Sequence, residues 1–396
     1  MKKFNDKGIT YPKGFKAAAL NCGIKDAGLD LALVLSESPA AAAGVFTKNV
    51  CCAAPVILSK NHVNSEKVKA ILVNSGNANA ATGKQGYNDA AYCAEEIAFR
   101  LKCEPTEILI ASTGIIGVPL PKEKIAGSLD KLVDNLSPEN GESFSEAILT
   151  TDTFKKEFAC EIQLENGKVR IGGVAKGSGM IMPDLATMLA FITTDAKIDR
   201  HFLCELLRDA VNKTFNRITV DSDTSTNDSV MILAGGASSV EINSGNKKRF
   251  LDGLLTICEE LAKMIVKDGE GATKFVSVTA QGCQTESDAD KIARSVANSP
   301  LVKTALYGGD PNWGRVIMAV GKAGVLFDQD KLDIYFNDIL TVKSGVKSGE
   351  SLEKIKSVFE QKEIEIKICI NSGEANATVW TCDLSHKYVD INIDYN

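Results

Sequence analysis

The sequence predicts a mixed α/β fold, and three local patterns carry that prediction. Short apolar runs such as Asp30-Leu-Ala-Leu-Val-Leu-Ser36, Val68-Lys-Ala-Ile-Leu-Val-Asn74 and Glu107-Ile-Leu-Ile-Ala111 have the length and bounds of strands. Helical patterns alternate with them. In Phe250 to Lys267, residues Leu254, Ile257, Leu261, Met264 and Ile265 recur at helical spacing. Finally, Phe158 to Leu164 and Lys168 to Val174 flank Asn166-Gly167, a hairpin signal. A chain of 396 residues has room for two or three domains.

The other elements follow in order. Residues 1–20 contain Pro12-Lys-Gly-Phe15 and read as an irregular lead-in. Ala40 to Val50 is small and apolar. Asn74-Ser-Gly-Asn-Ala-Asn-Ala-Ala-Thr-Gly83 reads as a polar loop, and Gly86 to Leu101 as an alanine-rich helix with Tyr92, Ile97 and Leu101 inward. Helices are expected at Ile125 to Leu136, Glu142 to Leu149, Ile198 to Thr214 and Ser287 to Asn298. Strands are expected at Ile218 to Val220 and Lys274 to Ala280. Ser238 to Lys248 and Gly308 to Arg315 read as loops, and 322–368 as a strand-and-turn sub-domain. Asn371-Ser-Gly-Glu-Ala-Asn-Ala377 partly echoes Asn74-Ser-Gly-Asn-Ala-Asn-Ala80; repeat and coincidence are equally compatible with so short an echo.

Composition narrows the function classes. Hydrophobic residues make up 44% and charged residues 24%, as in ordinary soluble globular proteins. A net charge of -6, with no long basic tract, argues against nucleic-acid binding by bulk charge. No apolar run is long enough to span a membrane, and Met1-Lys-Lys3 leads into Phe-Asn-Asp-Lys-Gly8 rather than a signal-peptide core. Eleven scattered cysteines, an odd number, predict buried thiols in a reducing cytoplasm rather than a disulfide framework. Three distant histidines make a zinc site a poor expectation.

The stretch from Gly172 to Thr194 carries the clearest chemical signal. It starts glycine-rich, turns at Pro183-Asp184 and enters an apolar run. Ala186-Thr187 stands at that entry. Cutting this bond would give Thr187 a free α-amine beside its own hydroxyl, a nucleophile with a built-in base. From spacing alone, an ordinary strand-leading threonine fits the local pattern better. Thr113-Gly114 is either a plain turn or a place where backbone N–H groups meet an oxyanion. Lys176, in a glycine loop without Walker order, is either solvated or a partner for a carboxylate or phosphate. Asp221 to Asp228 lacks calcium-loop order and suits capping or site-shaping better than metal binding. Glu270 between two glycines is cap filler or a carboxylate facing a substrate amine. Arg315 is a pocket-rim residue or a structural ion-pair partner.

Together these segments resemble the ornithine acetyltransferase family, also called the bifunctional glutamate N-acetyltransferase family, of arginine biosynthesis. The matching motifs are Lys176-Gly-Ser-Gly-Met-Ile-Met-Pro-Asp-Leu-Ala-Thr-Met-Leu189, Val73-Asn-Ser-Gly-Asn-Ala-Asn-Ala80 and Ala111-Ser-Thr-Gly-Ile-Ile-Gly117. Thr150-Thr-Asp-Thr153, Asp223-Thr-Ser-Thr-Asn-Asp228, Val266-Lys-Asp-Gly-Glu-Gly-Ala-Thr-Lys274, Gly309-Asp-Pro-Asn-Trp-Gly-Arg315, Trp380-Thr-Cys-Asp-Leu384 and Tyr388-Val-Asp-Ile-Asn392 extend the match in one order along nearly the whole chain.

The resemblance implies a layered αββα-type core, as in self-cleaving N-terminal-threonine acyltransferases and aminopeptidases, with a smaller C-terminal α/β sub-domain. It divides the chain into 1–186, 187–280 and 281–396. It implies cleavage between Ala186 and Thr187 and an α2β2 heterotetramer of the two pieces. Thr187 is implied as nucleophile, with Thr113 and Gly114 as oxyanion hole. Thr153, Lys176, Thr187, Glu270, Asn392 and Asn396 are implied as substrate contacts. The implied reaction moves acetyl from N2-acetyl-L-ornithine to L-glutamate without a metal or organic cofactor. Family members divide over acetyl-CoA as a further co-substrate, and no motif here separates them. Alternatives are an amidohydrolase with water as acceptor and a non-enzymatic anion-binding protein.

Three positions depart from the family pattern. Ala81 stands where cysteine is usual, Lys155 where proline is common, and Asn396 ends a chain that in relatives often runs one residue further to a hydroxyl side chain.

Overall fold

The computed structural model describes residues 1–182 and 188–393. The expectations placed on Ala186, Thr187 and Asn396 therefore lie outside the described residues. The chain divides into two compact units. One comprises 1–216 and 223–265, the other 217–222 and 266–396.

In the first unit nine strands form one hydrogen-bonded network. Its order is Lys2–Phe4, Lys156–Leu164, Gly167–Lys176, Leu189–Thr194, Ser229–Ala234, Leu31–Phe46, Val68–Asn77 and Ile108–Ile115, with Phe15–Leu20 also paired to Leu31–Phe46. The sixteen-residue strand Leu31–Phe46 joins two sheets. Its end from Ala41 to Phe46 pairs with Ser229–Ala234. Its beginning pairs with Phe15–Leu20 and Val68–Asn77, and the register shifts between Leu35 and Ala40. Pro39 sits in that shift, where a residue without an N–H costs no ladder bond.

Side-chain alternation builds the layers. In Val68–Asn77, Ala70 and Leu72 face one cluster while Ile71 and Val73 face another. The first cluster lies against Gly83–Leu101 and Lys122–Asp134, through Ala94, Ile97, Ile125 and Leu129. The second gathers Val34, Ile71 and Leu109 with Val174, Phe191 and Met231 from the other sheet. Beyond that sheet lies the helix Lys247–Lys267: a Cβ at Gly173 would touch Leu261 and Ile257, and one at Gly253 would meet Ile162. The order is thus helix, sheet, sheet, helix.

The second unit is a seven-stranded sheet ordered Val346–Lys347, Ile339–Lys343, Asp333–Phe336, Glu363–Cys369, Phe275–Cys283, Ala375–Cys382 and Ile218–Thr219. Its core joins Val276 and Val278 to Ile292 and Val296 of the helix Glu286–Ala297, and to Ile334, Phe336, Ile366 and Ile368. Among the described residues no helix is long and apolar enough to cross a membrane, and all eleven cysteines are free thiols.

Some sequence expectations need correction. The lead-in holds two strands: Lys2–Phe4, whose partner Lys156–Leu164 lies far along the chain, and Phe15–Leu20, which pairs with the next strand. The hairpin turn is Glu165-Asn166; Gly167 already pairs with Leu164, at a φ of 139°. Tyr92 is half-buried, and the inner face of its helix is Ala90, Cys93, Ala94 and Ile97. The loop read over Gly308 to Arg315 ends at Asn312, which caps the helix Trp313–Gly321. The echo is not a structural repeat. Asn74 is buried inside a strand paired in parallel, whereas Asn371 lies in an exposed turn.

Phe144 meets Phe191 edge-on, with ring centroids 5.7 Å apart, in the cluster between the two sheets. Phe191→Ala is expected to destabilise this unit by about 3–5 kcal/mol through lost burial and an unfilled cavity. Urea unfolding of wild type and variant side by side measures the difference.

Candidate active site

Three of the implied groups converge where strands of the first unit end. The parallel pair of Val68–Asn77 with Ile108–Ile115 places Ser75 opposite Thr113 and Gly76 opposite Gly114, and the register breaks at Asn77. Thr113 is 8% exposed. Gly114 has a φ of 135°, and a Cβ there would collide with the backbone of Gly76 and Asn77, so only glycine fits.

Lys176 ends the strand Gly167–Lys176 and is buried. Its ammonium donates to the Thr150 hydroxyl at 2.7 Å and lies 3.4 Å from Thr113 Oγ1. Asp152 Oδ2 is 3.8 Å away. The other oxygen, Oδ1, takes Lys156 Nζ and the Gly177 backbone N–H, each at 2.6 Å. The Thr150 N–H donates to Oδ2 at 3.0 Å. The Asp152 and Lys156 side chains are fully buried. Burial alone would raise the Asp152 pKa, but the Lys176 and Lys156 charges and the hydrogen bonds hold it well below the usual carboxylate range. Among the described residues, the Lys156 and Lys176 ammonium groups both flank the Asp152 carboxylate.

The chain after the candidate nucleophile is also fixed. Met188 is buried; its N–H donates to Asp228 Oδ1 at 2.9 Å, and its carbonyl accepts from the Ser229 N–H at 3.1 Å. Leu189–Thr194 then runs parallel to Ser229–Ala234, with Leu189 opposite Ser229. The apolar run that follows Thr187 in sequence thus forms a buried strand, Leu189–Thr194.

In the second unit Glu270 and Asn392 come together, 2.8 Å from Oε2 to Nδ2. Asn392 lies on the helix His386–Ile393. The turn holding Glu270 is tied down by Asp383, which accepts from the N–H groups of Thr273 and Lys274 at 2.8 and 2.9 Å. Gly271 has a φ of 69°, and its carbonyl accepts from the Ser385 hydroxyl at 2.6 Å. Thr153 is exposed; within its motif it is Thr150 that meets Lys176. Arg315 donates to the Leu301 carbonyl at 2.8 Å, linking two helices. Among the described residues no three His, Cys, Asp or Glu side chains gather where they could hold a metal.

The sequence reading missed Thr150, Asp152, Lys156, Asn227 and Asp228 as individual groups. Their motifs were visible, but their partners were not. The Asp152 charge yields a pH prediction. Because its folded pKa is lowered, its stabilisation is complete above the unfolded value, about 3.9, and is lost as pH falls from there toward the folded value. Asp152→Asn should be less stable than wild type near neutrality, and the gap should narrow on acidification below about pH 4. Urea unfolding across pH reads this; a gap independent of pH would contradict it.

Comparison with known proteins places the chain. A family model described as the ArgJ family matches residues 16–396. The arginine biosynthesis bifunctional protein ArgJ of Chlorobaculum tepidum is 47% identical over 98% of this chain and 96% of its own. The glutamate N-acetyltransferase of Methanocaldococcus jannaschii is 44% identical over 98% of each. The crystal structure of arginine biosynthesis bifunctional protein argJ from Bacillus halodurans matches with a TM-score of 0.51 and 40% identity, covering 52% of this chain and 99% of that one. With that match over nearly its whole length, the chain belongs to the ArgJ family.

Proposed function

We propose that this protein is a glutamate N-acetyltransferase that moves the acetyl group of N2-acetyl-L-ornithine to L-glutamate through an acetyl-Thr187 intermediate. One observation carries the reading: the Lys176 ammonium stands between the hydroxyls of Thr150 and Thr113, at the end of the strand that leads toward the Ala186-Thr187 bond. The 44% identity to a glutamate N-acetyltransferase supports it.

The reaction begins with cleavage before Thr187. The Thr187 α-amine then takes the proton of its own hydroxyl, and Oγ1 attacks the acetyl carbonyl. The Thr113 hydroxyl and the Gly114 N–H meet the oxyanion. As the amide C–N bond breaks, ornithine leaves with the proton and acetyl remains on Oγ1. The glutamate amine attacks this ester, and Oγ1 regains its proton as N-acetylglutamate departs. Lys176 holds a substrate carboxylate. Glu270, kept in place by Asn392, meets a substrate amine, and Thr153, Asn392 and Asn396 complete the substrate contacts. No metal or organic cofactor takes part; acetyl-CoA is at most a second acetyl donor.

A cut at this bond leaves a C-terminal piece of slightly more than half the chain. The solved Bacillus halodurans chain, spanned almost completely by 52% of this one, supports pieces of that size. The two pieces stay associated and pair into an α2β2 assembly in the cytoplasm.

Thr187→Ala is expected to remain one uncut chain and to transfer no acetyl from N-acetylornithine to glutamate. Gel analysis and an acetylglutamate assay check both. Cleavage or transfer by the variant would contradict the reading, as would wild-type release of free acetate without acetylglutamate. The same assay with acetyl-CoA and glutamate decides whether the protein also has the second donor.

A further inference from the structure

The turn before Ser229–Ala234 has no role in the chemistry above, yet two adjacent side chains in it reach both halves of the proposed site. Asn227 is 6% exposed and Asp228 2%. Asn227 Nδ2 donates to the Ser112 carbonyl at 2.9 Å and to the Ala78 carbonyl at 2.6 Å. Ser112 is the residue before Thr113. Ala78 in turn donates its N–H to the Ile115 carbonyl at 2.9 Å, just after Gly114. One amide thus grips the backbone on both sides of the oxyanion pair. The next residue turns the other way: Asp228 Oδ1 accepts from the Met188 N–H, the peptide nitrogen that follows Thr187.

The turn itself is rigidly held. Thr47 bonds it twice, from its N–H to the Asp228 carbonyl at 3.0 Å and from its hydroxyl to the Ser225 carbonyl at 2.8 Å. The Ala53 N–H reaches the Thr226 carbonyl at 2.9 Å, and the Asn227 N–H reaches the Ser225 hydroxyl at 3.1 Å. Immediately beyond, Ser229–Ala234 is locked between Leu189–Thr194 and Leu31–Phe46.

We propose that Asn227 and Asp228 are positioning residues that together tie the backbone around Thr113-Gly114 to Met188, the residue that follows the proposed nucleophile Thr187 in sequence. The proposal rests on the acetyl-transfer reading of these residues. It accounts for an oddity of Asp228: burial pushes its carboxyl pKa up, and Oδ2 has no partner among the described residues. A neutral carboxyl still offers Oδ1 to Met188, and asparagine can do the same. Asn227 has no such latitude, because only a side chain with two N–H donors can hold two carbonyls. A displacement of about 1 Å between nucleophile and oxyanion donors costs on the order of 100-fold in rate.

The test uses the full-length protein and four variants: Asn227→Asp, Asn227→Ser, Asp228→Ala and Asp228→Asn. Asn227→Asp removes the donors without changing shape, and Asn227→Ser serves if the aspartate prevents folding. Folding is checked by circular dichroism and thermal melting. Cleavage at 186–187, kcat and KM for acetylornithine are then read from the folded proteins. The proposal expects slowed cleavage and kcat down by roughly 10- to 100-fold with KM within about twofold in Asn227→Asp and Asp228→Ala. Asp228→Asn should recover most of what Asp228→Ala loses. Folded variants with wild-type kcat, or with losses confined to KM, would overturn it. So would an Asp228→Asn as damaged as Asp228→Ala, since that assigns the carboxyl a proton-transfer task. If wild type itself transfers no acetyl, the functional reading fails, and cleavage, which uses the same threonine and oxyanion hole, decides the positioning claim alone.

Discussion

The buried carboxylate of Asp152 is the constraint on which the first unit's site depends. A charge removed from water is tolerable only when paired and hydrogen-bonded. Asp152 meets that demand with Lys156, the N–H groups of Thr150 and Gly177, and Lys176 close by. Each bond also fixes a neighbour of Lys176: the bond to Gly177 orients the end of the strand that carries the lysine, and the bond to Thr150 holds the residue whose hydroxyl accepts from the Lys176 ammonium.

Around this anchor the fold supplies stiffness. The strand beginning at Leu189 is buried along its whole length between two neighbours, and Thr113-Gly114, the proposed oxyanion pair, lies near the end of a strand with helices on one face and a second sheet on the other. Sites built on strands hold geometry better than sites on loops. The groups of the second unit are held differently. Glu270 lies in a turn, but Asp383 and Ser385 tie that turn to the segment bearing Asn392.

Elements whose pattern is internal were legible in the sequence. The helix Lys247–Lys267 shows its period within itself, the hairpin shows its two runs and turn, and Gly114 announces a conformation other residues avoid. Elements defined by distant partners were not legible. Lys2–Phe4 is a strand only because Lys156–Leu164 lies beside it. The site divides the same way. The resemblance singled out Thr113, Gly114 and Lys176, but not Thr150, whose hydroxyl accepts from the lysine. The roles of Asn227 and Asp228 were hidden in a run of hydroxyls and carboxylates. Asn227 reaches carbonyls 115 and 149 residues away, a relation that no local pattern encodes.

The central claim is that Thr187 carries the acetyl group between donor and acceptor. The most direct measurement is the intact mass of the purified protein after brief mixing with N-acetylornithine in the absence of glutamate. The account predicts two chains, with one acetyl group on the piece beginning at Thr187, mapped to that residue by fragmentation and lost when glutamate is added. An uncut chain, or a cut protein that produces acetylglutamate while never holding acetyl on Thr187, would contradict it.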